Sequence, residues 1–175
     1  ETLPGALCSI LLLDDDGLHL AIGAAPSLPD FYNAAIAGAP IGPVAGSCGT
    51  AAYTGQRVVV GDIASHPYWV NYKTLAQQAN LAACWSEPIR SGQSRVLGTF
   101  AIYQRMPALP QPFELELITM AAHLTALAIE RKRAEQQLQL VGRVFEQGGE
   151  SIVITDSESR IVRVNKAFSQ ITGYT

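Results

Sequence analysis

The 175-residue chain has a formal net charge of -3, a sequence pI near 5.6, 48% apolar residues and only 15% charged ones. That balance excludes an intrinsically disordered chain and argues against a general nucleic-acid or anionic-membrane binder. Cys8, Cys48 and Cys84 are odd in number and lack C-x-x-C spacing; they point to neither a zinc site nor a disulfide framework, and fit a reducing cytoplasm. No run approaches the ~18 apolar residues that span a bilayer, and no signal peptide is visible. One domain plus part of a second suits the length, and a start without Met with an end in a helix-like pattern suits a piece of a longer soluble protein.

In chain order, Cys8–Asp14 is a short, nearly all-apolar run, as a central strand is. Asp15-Asp16-Gly17 is a turn signal and Leu18–Ile22 alternates as a partner strand, predicting a β-hairpin. Pro29-Asp30 opens a short helix with Phe31, Ala34, Ala35 and Ile36 on one face. After the Gly/Pro-rich loop 41–47, Ser47 is placed as N-cap of a small helix that Gly55 ends. Arg57–Ile63 is a third strand, and Pro67–Leu81 is expected to be helical from the spacing of Trp69, Tyr72, Leu75 and Ala76. Ala83–Ile89 and Val96–Tyr103 are two further strands around the turn Ser91-Gly92-Gln93-Ser94. The class is α+β: an antiparallel sheet with covering helices.

From Pro112, suited to a first helical position, a helix of about 35 residues and roughly 50 Å is predicted. Glu114 and Glu116 favour its positive end. Met120, Leu127, Ala134 and Val141 fall at one heptad position; Leu117, Leu124, Arg131, Leu138 and Phe145 fall at the other. Ala121, Ala122, Leu124 and Ala128 suit a surface lying on the sheet, while the second half is apolar only along the seam and is expected to pair with a second copy. Beyond Gly149, Ser151–Asp156 and Arg160–Asn165 form another hairpin and Lys166–Gly173 a helix. An isolated hairpin is marginal and has open edges, so this end is expected to be disordered or ordered by another chain.

The segments Ser47-Cys-Gly-Thr-Ala-Ala-Tyr-Thr-Gly55, Ala83-Cys-Trp-Ser-Glu-Pro-Ile89 and Val96-Leu-Gly-Thr-Phe-Ala-Ile-Tyr103, in that order, resemble a GAF domain. Ile152–Asp156, Arg160–Asn165, Phe168 and Thr172-Gly-Tyr174 resemble the opening of a PAS domain. The resemblance implies a GAF-like antiparallel sheet over residues 1–129, a coiled-coil helical linker over 130–149 and a truncated PAS start over 150–175. It further implies a cytoplasmic, non-catalytic sensory module from a bacterial multidomain protein, whose output is a diguanylate cyclase or cyclic-di-GMP phosphodiesterase, with a histidine kinase as alternative.

Several site chemistries compete. Cys48 and Cys84 resemble the cysteines of the GAF-fold free methionine-R-sulfoxide reductases, but the carboxylates of that family correspond here to about Ala101 and Tyr103, leaving proton transfer unsupported. Two buried thiols packed as small hydrophobes are the plainer reading. No Cys-His pair is present for a bilin, and His19, His66 and His123 are ordinary residues before they are haem ligands. Gly42, Gly46 and Gly49 lack the following Lys-Ser/Thr of a P-loop, although Ser47 and Thr50 suit backbone anion binding at a helix start. The motif of cyclic-nucleotide-binding GAF domains is not found. The Arg131-Lys132-Arg133 run reads as a solvated helix face.

The aromatic set carries the pocket expectation: Cys48, Tyr53, Trp69, Tyr72, Trp85, Phe100 and Tyr103 as ligand-binding residues, with Tyr53, Trp69 and Trp85 lining a closed pocket. The ligand and any cofactor remain unnamed by the sequence. The expected partners are a small molecule and a second copy, paired through Leu124, Leu127, Ala134, Leu138, Val141 and Phe145, with no nucleic acid and no membrane.

Overall fold

A computed structural model describes residues 5–174, which divide into two compact units on either side of the Ala128–Ile129 junction. In the first unit the strands are β1 (Leu7–Leu13), β2 (His19–Ala24), β3 (Ala39–Pro40), β4 (Val58–Val60), β5 (Ala83–Arg90) and β6 (Val96–Gln104). They form one antiparallel sheet in the order β3-β2-β1-β6-β5-β4. Helix α1 (Asp30–Ile36), helix α2 (Gly46–Thr54), a 3₁₀ turn (Pro67–Trp69) and helix α3 (Lys73–Gln78) are inserted between the strands.

Side-chain alternation sorts the sheet into two faces. One face, with Leu7, Leu11, Leu20, Cys84, Ala101 and Tyr103, packs with Tyr32 and Ile36 of α1, Cys48 and Ala51 of α2, Trp69 and Ala76. On the other face Trp85 and Ile102 pack with Ile118 of helix α4 (Pro112–Gln147).

Three local expectations change. Pro67–Leu81 is not one helix: the 3₁₀ turn ends at Trp69, and Tyr72, at φ -120 and ψ 0, separates it from α3. Ser47 is not the N-cap of α2, because the helix begins at Gly46 after Ala45; Thr50 Oγ1 instead accepts from Ala45 N at 3.1 Å. On α1, Tyr32 and Ile36 are buried and Phe31 is exposed.

Glu114 caps the start of α4. Glu114 reaches back to accept from Gln111 N at 2.6 Å, with Pro112 at the first helical position. The buried side of its first half is Glu114, Ile118, Ala122 and Ala126, an i, i+4 row. Leu124 and Ala128, expected on the sheet, are exposed instead. By length and composition α4 also contains a stretch apolar enough to cross a membrane, against the sequence expectation that none approaches that length. A core helix satisfies the same criterion, and the row from Ile118 to Ala126 is buried in the first unit.

The second unit contains the remainder of α4, the hairpin β7 (Val153–Thr155) and β8 (Ile161–Val164), and helix α5 (Lys166–Thr172). The hairpin, expected to be disordered or ordered by another chain, is closed by Asn165, which is 1% exposed. Its Oδ1 accepts from Ile152 N at 2.9 Å and caps α5 by accepting from Phe168 N at 3.0 Å, while Nδ2 donates to Glu150 O at 2.8 Å.

Candidate functional site

A cavity of about 40 Å³ lies between the sheet and the start of α2. Leu11 of β1, Leu20 of β2 and Tyr103 of β6 supply its sheet wall, and Tyr32 and Ile36 of α1 close one side. Ala45 to Gly49 bring the first turn of α2 to it, with Trp69 and Tyr72 opposite.

Buried hydrogen bonds hold this wall together. Trp69 Nε1 donates to Ser47 Oγ at 3.0 Å, and Ser47 Oγ donates to Cys84 O at 3.2 Å. The Tyr103 hydroxyl lies 3.1 Å from Ser9 Oγ and 3.6 Å from Cys48 Sγ. Tyr32 meets Tyr103 edge-on at 6.2 Å between centroids, and Trp69 meets Tyr72 at 6.4 Å. Such edge-to-face pairs fix ring orientation as well as burying area.

The thiols are unequal. Cys84 beside it, then the hydroxyls of Tyr103, Ser86 and Thr99, hold Cys48 below the ordinary thiol pKa, against burial that raises it. Burial, followed by the neighbouring Cys48, pushes Cys84 well up, and burial does the same to the Tyr103 phenol. Ser86 Oγ and Thr99 Oγ1 are buried without a hydrogen-bond partner among the described residues.

Of the sequence-selected residues, the structure brings Cys48, Trp69, Tyr72 and Tyr103 to the cavity. It does not bring Tyr53, Trp85 or Phe100. Trp85 follows Cys84 on one strand and so faces the opposite way; it packs with Ile102 and Ile118 and donates to Ala108 O at 3.1 Å. Phe100, three residues from Tyr103, shares that opposite face. Tyr53 is five residues after Cys48, roughly 140° around the helix at ~100° per residue, and is 58% exposed. The closed pocket walled by Tyr53, Trp69 and Trp85 is therefore not what forms.

Sequence reasoning missed Leu11, Leu20, Tyr32 and Ser47 as wall residues. For Leu11 and Leu20 a signal was present in the strand alternation; for Tyr32 the neighbouring Phe31 drew the wrong face. None of the histidines lines the cavity. His19 Nδ1 lies 2.6 Å from Asp16 Oδ2 in an exposed turn, His66 Nδ1 accepts from Tyr68 N at 3.2 Å, and His123 is exposed. No cluster suited to a metal ion occurs among the described residues.

A GAF domain model matches residues 1–130. The chain belongs to the GAF domain family. A PAS domain model matches residues 138–175, beginning within α4, so the GAF domain is followed by part of a PAS domain. A relative, the methyl sulfide methyltransferase-associated sensor of Methanosarcina acetivorans, is 43% identical over 139 residues, covering 79% of this chain. The chain spans only 14% of that relative's length. A solved domain assigned to a two-component sensor histidine kinase of Sinorhizobium meliloti 1021 shares the fold at TM-score 0.63 and 21% identity, covering 77% of this chain and 84% of the other. The free methionine-R-sulfoxide reductase of Neisseria meningitidis, solved with its substrate, shares it at TM-score 0.55 and 21% identity, covering 75% of this chain and 70% of the other.

Proposed function

We propose that the GAF domain is a cytoplasmic, non-catalytic sensory module that takes a small ligand beneath α2 and relays its occupancy through α4 to an output domain. The observation that carries this is the run of α4: it is packed into the GAF core at Ile118, Ala122 and Ala126 and continues as one helix to Gln147. The relative named as a sensor supports a signalling role. The output is read as cyclic-di-GMP synthesis or breakdown, from the PAS opening Ile152–Asp156, with a histidine kinase as the alternative.

Two copies are proposed to pair along α4. Leu124, Leu127, Leu138 and Val141 are exposed at heptad spacing, as a two-helix seam requires. Reductase chemistry fits the cavity less well. Its described lining contains no carboxylate to hold a substrate ammonium, and Ala101 and Tyr103 stand at the strand positions in question.

The test is a full-length protein whose output activity is measured after the cavity is filled by Ala39→Leu, a substitution at the edge strand β3. The expected result is an altered basal output and loss of signal response, with the exposed control Leu18→Ala unchanged. Unchanged output from a folded Ala39→Leu protein would refute the sensory reading.

A further inference from the structure

Two thiols meet beneath α2, and only one of them lines the cavity. Cys48 is in its wall, whereas Cys84 is 0% exposed and is not among the described lining residues. Neighbouring contacts bring Cys84 against Cys48. Ser47, the residue before Cys48, donates to Cys84 O at 3.2 Å. Tyr103 stands opposite Cys84 in the β5–β6 register, and its hydroxyl lies 3.6 Å from Cys48 Sγ. The Cys84 thiol is itself a hydrogen-bond partner of Cys48.

The surroundings of Cys48 also suit an acceptor that the neutral thiol does not supply. Alternation along the strands turns Ser86 to the sheet face of Cys84 and Thr99 to the face of Tyr103, so both hydroxyls approach from the sheet while Cys48 descends from α2. Both residues are 0% exposed, and both favour the Cys48 thiolate. Neither hydroxyl has a hydrogen-bond partner among the described residues. A buried donor without a partner is costly; a charge on that sulfur, or an oxygen added to it, provides the acceptor.

We propose that Cys48 is a reversible oxidation site for hydroperoxides, and that Cys84 resolves it to a Cys48–Cys84 disulfide fastening α2 to β5. The Cys48 thiolate attacks the outer oxygen of the hydroperoxide. An S–O bond forms, the O–O bond breaks, and the alkoxide leaves and takes up a proton as the alcohol. The Cys84 sulfur then attacks the sulfenic sulfur of Cys48. The S–O bond breaks, and hydroxide leaves with the Cys84 proton as water. The two thiols lose two electrons and two protons, and the hydroperoxide gains them as alcohol and water.

Access and charge set the order of the two steps. A hydroperoxide is neutral and needs no counter-ion, which matches a described lining without carboxylates. Burial, and then the neighbouring Cys48, hold Cys84 protonated. Conversion of Cys48 to the neutral sulfenic acid removes the second of these, so Cys84 reacts only after Cys48. The site is a second input to the α2 wall, separate from the ligand reading above, and its readout is chemical.

The test treats the reduced chain with hydrogen peroxide and maps its peptides by mass spectrometry, with and without dithiothreitol. The expected result is a loss of two hydrogens and a linked Cys48–Cys84 peptide pair that dithiothreitol separates, with Cys8 left as a thiol. Cys84→Ser should stop at the Cys48 sulfenic acid, trapped by dimedone, and Cys48→Ser should leave Cys84 unmodified. Thr99→Val removes one hydroxyl with little change of shape. It should slow Cys48 oxidation severalfold at neutral pH and move the pH midpoint of the reaction upward, which a packing change alone does not do.

Intact thiols after peroxide treatment of the parent chain would overturn the proposal. So would Cys8 in the linked pair, oxidation of Cys48 beyond the sulfenic stage without linkage, or equal oxidation of Cys84 in Cys48→Ser. An unmoved midpoint in Thr99→Val would overturn the part given to the hydroxyls. Should a variant misfold, the peptide map of the parent chain still decides. An output altered by cavity filling with no linked pair would reject this site and leave the sensory reading standing; a linked pair with unaltered output would do the reverse.

Discussion

At the scale of single residues, the contrast between Cys48 and Cys84 gives a pH-dependent signature. The thiolate is the reacting form, so a lowered pKa moves the reactive window to lower pH and a raised one moves it up. Cys48, with its thiolate favoured first by Cys84, should be modified by a small neutral methanethiosulfonate with a midpoint below the ordinary thiol value of about 8.5. Cys84, pushed up by burial, should stay unlabelled where Cys48 is half-modified, as mass spectrometry of the digested protein will show. The reverse order of labelling would contradict the site electrostatics. Ser47→Ala removes the acceptor of Trp69 Nε1 and leaves a buried donor unpaired, which should destabilise the domain by about 1–3 kcal/mol in urea unfolding. Gly98 is constrained more severely: a Cβ there would lie 2.1 Å from Leu11 O across the β1–β6 pair. Gly98→Ala must part the two central strands, and a loss of about 1–3 kcal/mol or more is expected in the same measurement. A near-neutral Gly98→Ala would mean that the pair readily opens there.

At the scale of elements, α4 carries two different apolar rows. Ile118, Ala122 and Ala126 are used within the GAF domain, while Leu124, Leu127, Leu138 and Val141 are left exposed. Leu138→Glu puts a charge into the second row alone, so it should convert the proposed dimer to monomer in sedimentation while the GAF core keeps its unfolding midpoint. An unchanged dimer would rule out this seam. The sheet and the long helix were legible in the sequence, because continuous apolar strands, a Pro112 start and four-residue helical spacing are strong local signals. The short β3 was not, since Ala39–Pro40 is held by pairing with His19 and Leu20 and has no periodicity of its own. The aromatic site was half legible. Cys48, Trp69, Tyr72 and Tyr103 converge because four separate segments do, whereas grouping by aromatic type ignored the two-residue period that turns Trp85 and Phe100 away. The break at Tyr72 was hidden because Trp69, Tyr72, Leu75 and Ala76 keep helical spacing across a change from 3₁₀ to α geometry.

At the scale of the whole chain, the question is how cavity occupancy can influence an output beyond the PAS segment. Coupling needs an element that both sites bias. Arg57 ties the segment after α2 to α4 on the sheet face away from the cavity: it pairs with Glu87 of β5, and its Nη2 donates to Thr119 Oγ1. A shift of α2 would thus act on the first turns of a helix that runs on through Arg131, whose guanidinium pairs with Glu135 at 2.9 Å rather than filling a dry seam position. If the signal travels as a rotation or register change of paired helices, its transmission depends on helical phase. Each added residue turns the following helix by about 100°, and seven residues restore the heptad. Inserting seven heptad-matched residues after Ala134 should preserve signal response in the full-length protein. Inserting two rotates the downstream seam by roughly 200° and should abolish or invert the response, while urea unfolding of the GAF domain stays unchanged. Equal responses from both insertions would exclude a phase-dependent relay and leave only tethering for α4 to do.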